Sequence, residues 1–277
     1  VGRKIGAFPV DPPAAKMLLR GCELGCGADV AIIAAMLSTS NVFMRPSPGN
    51  REAGDPRAPF TNSFGDHMTL FNTYHAFLAS GCDHAWARSG NVSYRALEQA
   101  RRIVDQLTST MQREGLEAAS TVPLPMGDDH GPAWRRCDPQ RILRAVVAGY
   151  FVKAAYMPAA CVREGRIEYV LVREGTRCGV HQTSVFNGHS GVQPPRWVVF
   201  DRFESTAPGE RPVMRTASHV VSPAWLLEAS DDFFTPDDLE DAEVAREMRR
   251  VVADENRRKA ADDAEKERRA REQYAEI

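Results

Sequence analysis

The sequence predicts an α+β protein: a helical bundle, then a small β-barrel, then a charged C-terminal helix. Up to about residue 118, apolar residues recur at spacings of three and four, the period of amphipathic helices. After Ala155 the chain changes to short segments rich in Val, Ile, Phe, Tyr and Thr, bounded by Gly or Pro. Beyond Pro236 it becomes highly charged and poor in aromatics.

The helical part opens with Asp11 and Pro12, a cap followed by a residue whose missing N–H costs nothing in a first turn. Ala14, Met17, Leu18 and Cys22 supply the apolar stripe, and Gly25 ends the run. The next helix, ADVAIIAAMLST, is apolar almost all round and should be buried, with Asp29 as its cap. Residues 45–63 hold four prolines and two glycines and read as surface loop. A third helix runs from Asp66, read as its N-cap, to Gly81, with Met68, Phe71, Tyr74, His75 and Leu78 in helical register. Ser93 caps the longest helix, roughly Tyr94 to Glu114, which Gly115 ends.

Residues 119–137 are rich in Pro, Gly and acid and read as a linker. Asp138-Pro139 opens one more helix, with Ile142, Leu143, Val146, Val147 and Tyr150 on one face. The strand-like segments are RIEYVLVRE, RCGVHQTSVF, PRWVVFDRFES and VMRTASHVVS, which suit a small barrel or sandwich. In the tail, acid-to-base pairs at i,i+4 recur, as at Asp254–Arg258 and Glu265–Arg269. Each is worth about 0.2–0.5 kcal/mol, enough for a free solvated helix but not for a core.

Composition bounds the function. At 277 residues, 43% hydrophobic and 26% charged, the chain suits two compact domains plus an extension and is neither collagen-like nor wholly disordered. No apolar run of about 18 residues is present, so no membrane partner is expected. The first residues, VGRKIGAFPV, lack both a signal-peptide apolar region and an initiator Met, and read as the start of a fragment. The formal charge of −2 is uneven: from Asp237 onward 14 acidic and 10 basic residues give −4, leaving +2 elsewhere. Such a near-neutral body binds nucleic acid only where its basic groups cluster locally. The cysteines at 22, 26, 82, 137, 161 and 178 lack metal-site spacing and read as reduced thiols, so no metal is expected.

Catalytic signatures are missing. The sequence has no G-x-x-x-x-G-K-[ST] loop to cradle phosphates, no G-x-S-x-G, no H-E-x-x-H and no paired C-x-x-C. Asp66-His67 and Asp128-Asp129-His130 are adjacent acid–imidazole pairs, but neighbours in sequence do not face each other on a helix. No catalytic residue is assigned.

Several segments resemble, in order, the C-terminal half of the DEAH-box RNA helicases of pre-mRNA splicing and ribosome assembly. GRKIGAFPVDPPAAKMLL is similar to the end of their winged-helix domain, and ELGC with IIAAMLSTSNVFMRP to the opening of their ratchet bundle. FGDHMTLFNTYHAF and WARSGNVSYRALEQARRIVDQL are similar to the next two helices. ILRAVVAGYFVKAA, GVHQTSVF, PPRWVVFDRF and RTASHVVSPAWLLEAS are similar to the following OB-fold. The chain departs from the family at Asn91, usually an aromatic, and at Gln182, usually a Pro.

The resemblance implies a division into the end of a winged helix (1–24), a helical bundle (25–118), a linker (119–137), an OB-fold (138–234) and a tail (235–277). It implies a region that grips single-stranded RNA and relays cofactor control to helicase motor domains outside this sequence. Those motors would use ATP and Mg, whereas this chain is expected to hold no cofactor. Further implied partners are a G-patch-type protein and spliceosomal proteins, in the nucleus. The alternative is a self-standing protein-interaction module built on a helicase-derived scaffold.

In that family the ratchet and OB domains close over a single strand, which suggests particular side chains here. Asn41 and Arg45 lie where the second helix meets the Pro-rich loop, an amide for sugar or base and a guanidinium for phosphate. His67 opens the third helix; Lys153, His181, Ser184 and Arg215 fall on strands or strand ends of the OB-fold. The plain alternatives are a helix C-cap for Asn41, a solvated loop residue for Arg45 and ordinary polar surface for the OB-fold residues. The aromatics Tyr150, Phe151, Trp197, Phe200 and Trp225 occupy core-period positions and read as core rather than as stacking platforms.

Overall fold

A computed structural model describes residues 2–44, 54–123, 132–204, 211–230 and 232–275. The N-terminal half is helical: α1 (Gly2–Ile5), α2 (Pro12–Glu23), α3 (Gly27–Leu37), α4 (Asp66–Ala79), α5 (His84–Ser89) and α6 (Tyr94–Arg113). After the linker come α7 (Pro139–Tyr150), then β1 (Ala154–Tyr156), α8 (Ala159–Arg163), β2 (Tyr169–Leu171), β3 (Arg177–Val180), β4 (Trp197–Glu204) and β5 (Val213–His219). Helices α9 (Ala224–Ala229) and α10 (Ala242–Ala275) complete the chain.

Local chemistry starts most of these helices where the sequence suggests. Ser93 Oγ accepts the N–H of Ala96 at 3.3 Å, and Asp138 accepts those of Gln140 and Arg141 at 3.1 and 3.2 Å. Asp11 holds the N-cap position of α2 ahead of Pro12, without a side-chain bond. Asn91 adopts φ +52°, in the left-handed region that an Asn side chain tolerates and a bulkier aromatic resists.

Asp29 is a different case. It lies inside α3 rather than capping it, and its carboxylate accepts the Ser120 hydroxyl at 2.5 Å and the Thr121 N–H at 2.7 Å. A buried acid needs such donors, and these tie the start of the linker to the central helix.

Helix α3 is the hub of the bundle. Val30 to Met36 are all buried, so it must be covered on every side, and α2, α4, α6 and α7 cover it. Helix α7 belongs to this packing: it lies along α2 at Gly149, where a Cβ would stand 2.5 Å from the Pro13 carbonyl oxygen. One apolar core therefore runs from Met17, Ile33 and Phe71 through Val146 to Tyr156 and Val199 on the outer side of the sheet.

The five strands close into a barrel in the order β1-β2-β3-β5-β4. All pairs are antiparallel except β3 with β5, which is parallel. Inside it Tyr169, Phe186, Phe200 and Met214 form a second core. This is the expected α+β arrangement of a helical bundle with an OB-like barrel. Tyr150, Trp197 and Phe200 are buried, as their core-period positions predict.

The charged tail departs from a free helix. Val244, Ala245 and Met248 on α10 are buried in the main core, which also includes Leu226 and Leu227 of α9 and Phe234. Glu243 anchors the first turn by accepting the Ala159 N–H at 2.8 Å and the Tyr156 hydroxyl at 3.2 Å. Past Glu255, residues 256–264 are exposed. Ion pairs there form mostly at i,i+3, as in Glu255–Arg258 at 2.8 Å, while Glu265–Arg269 at 2.8 Å is an i,i+4 pair.

Candidate nucleic-acid interface

The bundle meets the barrel along residues 64–67. Gly65 has φ +117°, and a Cβ there would lie 2.5 Å from the Ala217 carbonyl oxygen, so only glycine lets the two backbones approach. Gly65 pairs with Ser218, and the His219 N–H donates to the Phe64 carbonyl at 2.9 Å. Gly65, not Asp66, holds the N-cap position of α4. Asp66 instead reaches across the seam, where one carboxylate oxygen accepts the Val185 N–H at 2.8 Å and the other the Ala217 N–H at 2.8 Å. Burial pushes its carboxyl above the usual range, while those two N–H groups and the Ser184 hydroxyl pull it back.

Strand β5 has a left-handed residue at this point. Thr216, a β-branched residue, has φ +56°, and the β4–β5 ladder keeps one register but lacks a pair between Phe200–Ala217 and Arg202–Arg215. A left-handed β-branched residue is strained, and it stands beside the point where Ala217 turns its N–H to Asp66.

Above the seam lies a cleft of about 760 Å³. Its bundle wall is the end of α3, residues 39–43, Arg57 and the start of α4; its barrel wall is residues 181–183 with the end of β4 and the middle of β5. Arg202 and Arg215 are register partners on β4 and β5 and both line it. Like charges directly opposite each other are unfavourable unless something negative intervenes. Here Asp201 takes Arg202 at 2.6 Å, and Glu204 takes Arg215 at 2.5 Å. The second amino group of Arg215 crosses the cleft and donates to Asn41 Oδ1 at 2.7 Å. His181 Nε2 stands 3.6 Å from Glu204, and its Nδ1 accepts the Thr183 N–H at 3.1 Å. His181 Nδ1 also stands 2.7 Å from Thr183 Oγ1. The bonded Arg215 guanidinium holds the Glu204 carboxyl below its usual range.

The structure brings Asn41, His181 and Arg215 together on this cleft. Arg45 lies outside the described residues. His67 is fully buried, with Nδ1 2.7 Å from Ser218 Oγ, and burial pushes its pKa down to about 3. Ser184 is 3% exposed and accepts the Phe186 N–H at 3.2 Å. Both belong to the packed seam and offer no surface to a strand. Lys153 lies off the cleft, its ammonium donating to the Asp201 carbonyl. Sequence reasoning passed over Arg57, Arg202 and Glu204. The last two sit at i,i+2 on β4, a signal for one shared face that was available once the strand was assigned. Among the described residues no His, Cys, Asp or Glu group could hold a metal ion, and no helix is long and apolar enough to cross a membrane.

The fold is thus a helical bundle locked onto an OB-like barrel. The family model for the helicase associated domain (HA2), ratchet-like, matches residues 11–70, which includes Asn41 and the Gly65–Asp66 seam. Over 234 residues, 84% of the chain, the protein is 29% identical to the human (Homo sapiens) "Probable ATP-dependent RNA helicase DHX35". It is 28% identical over the same length to the protein of that name from Pongo abelii. The chain spans 29% of the length of each relative. These likenesses support its assignment as a C-terminal region of a DEAH-box RNA helicase.

Proposed function

We propose that this region grips single-stranded RNA in the cleft between bundle and barrel, as the accessory half of an ATP-driven RNA helicase. The observation that carries the reading is the facing pair Arg202 and Arg215, with Asn41 across the gap. Guanidiniums suit phosphate oxygens, and an amide suits sugar or base edges. The relatives' names, ATP-dependent RNA helicases, supply the RNA and the ATP. ATP and Mg would be bound by motor domains, and the rigid seam would transmit their movement to the cleft. In this reading the regions 1–24, 25–118, 119–137, 138–234 and 235–277 keep the roles the family resemblance implies. Work in nuclear ribonucleoprotein remodelling, pre-mRNA splicing included, with a G-patch-type cofactor and spliceosomal proteins, completes the proposal.

The test is binding of single-stranded oligouridylate to the full chain, wild type against Arg215→Ala, across a salt series. Loss of the Arg215 contact weakens binding and flattens the log–log salt slope, by at most the about 0.7 of a full phosphate contact. Equal affinity and slope for the two proteins would overturn the assignment of Arg215.

A further inference from the structure

We infer that Glu204 is an internal competitor for the RNA phosphate, so that the cleft must exchange its own carboxylate for a nucleotide when it loads. The inference rests on the proposed RNA-binding cleft and deepens it. Three observations carry it.

First, Glu204 lines the cleft, and its side chain is 40% exposed, so it stands in the space a strand would enter. Second, its Oε2 is the atom that engages Arg215 at 2.5 Å, and the same oxygen is 3.6 Å from His181 Nε2. That is the position an anionic oxygen between an arginine and an imidazole nitrogen would take. Third, Arg215 is held on its other side by Asn41, so its guanidinium is fixed across the mouth rather than free to swing to a second anion. An incoming phosphate therefore meets an arginine already neutralised and beside a fixed negative charge. Loading has to move Glu204 away or bind against its repulsion.

The arrangement sets affinity as a difference. Arg202 and Arg215 attract the backbone, while Asp201 and Glu204 offset the attraction. Asp201 is 7% exposed and keeps Arg202 as a structural pair, whereas Glu204 is the accessible one of the two acids. A weak, reversible grip is what a strand that must slide requires.

The experiment measures oligouridylate binding to the full chain by fluorescence anisotropy for wild type, Glu204→Gln, Glu204→Ala, Arg215→Ala and the double variant Glu204→Gln/Arg215→Ala, with each fold checked by thermal melting. Removing the competing charge should tighten binding about threefold, the scale of one exposed charge pair. It should also steepen the salt slope, toward the about 0.7 that a full phosphate contact by Arg215 contributes. Glu204→Ala gives the same direction, and stands in should Glu204→Gln fail to fold. In the Arg215→Ala background the gain should shrink to the part due to general repulsion by Glu204. Unchanged or weaker binding by the Glu204 variants, with Arg215→Ala still weakening it, would overturn the competitor and leave the cleft intact. A gain of the same size without Arg215 would reduce Glu204 to general repulsion and also overturn it. If Arg215→Ala alone leaves binding untouched, the cleft assignment fails instead.

Discussion

The carboxylate of Asp66, in the first turn of α4, accepts the backbone N–H of Ala217 on β5 at 2.8 Å and thereby fastens the bundle to the barrel. A side chain that reads as a helix cap is instead the polar centre of an interdomain seam. It also receives the Val185 N–H at 2.8 Å, so two buried donors depend on it.

Asp66→Ala should strand both N–H groups and destabilise the protein by about 3 kcal/mol, given about 1–3 kcal/mol for each unsatisfied buried group. Asp66→Asn keeps one acceptor and should cost about half as much. Denaturant unfolding of the full chain measures both; a loss below about 1 kcal/mol for Asp66→Ala would mean that the seam holds without it.

Gly65→Ala should be far more damaging than Gly81→Ala. At Gly65 the new Cβ would stand 2.5 Å from the Ala217 carbonyl at φ +117°, whereas at Gly81 φ is +72° and the space is open. The expected costs are above about 3 kcal/mol and about 1 kcal/mol. Thermal melts of the two variants decide this, and similar melting points would remove the close approach as the reason for glycine.

His67 should make stability fall as the solution is acidified. Burial lowers its folded pKa to about 3 from an ordinary value of 6.5, so below pH 6.5 the unfolded chain binds the proton and the folded one does not. The stability it permits is present above pH 6.5 and is lost progressively between there and about pH 3. Asp66, whose carboxyl is raised, acts in the opposite sense, so the comparison must be between proteins that both retain it. Between pH 7 and pH 5, wild type should lose about 2 kcal/mol more than His67→Gln, at about 1.4 kcal/mol per pH unit. Parallel pH profiles for the two proteins would contradict a neutral, buried His67.

Helix α10 should divide by function along its length. Met248→Ala, in the main core, should cost about 2–4 kcal/mol. Lys266→Ala, whose exposed pair with Asp263 is 3.3 Å apart, should change stability by less than about 0.5 kcal/mol. Equal effects in chemical denaturation would show that the tail does not dock as described.

Much of the fold was legible because it follows local rules. The caps Ser93 and Asp138, the all-apolar α3 and the Val- and Phe-rich segments that become β4 and β5 each announce themselves within a few residues. What was hidden depends on contacts distant in sequence. Strand β1, Ala-Ala-Tyr, has weak strand character of its own and is recruited by pairing with Val198 and Leu171. Docking of α10 turns on Val244 and Met248, two apolar residues in a charged run, meeting α9. Of the site, Asn41, His181 and Arg215 could be singled out as polar groups near loop or strand ends. The role of Asp66 could not, because its partners are backbone N–H groups 119 and 151 residues away. Glu204 was missed since a carboxylate is an unlikely first choice for a nucleic-acid surface.

On the proposed reading, single-stranded RNA lies in the cleft between bundle and barrel. Photo-cross-linking of thiouridine-substituted oligouridylate to the full chain, with the cross-linked peptides mapped by mass spectrometry, examines this at residue level. Adducts are expected within residues 39–43, 181–183 and 215–216, reduced in Arg215→Ala. Adducts concentrated instead around Pro194–Trp197 and Val220–Pro223, at the other ends of β4 and β5, or left unchanged by the substitution, would overturn the reading.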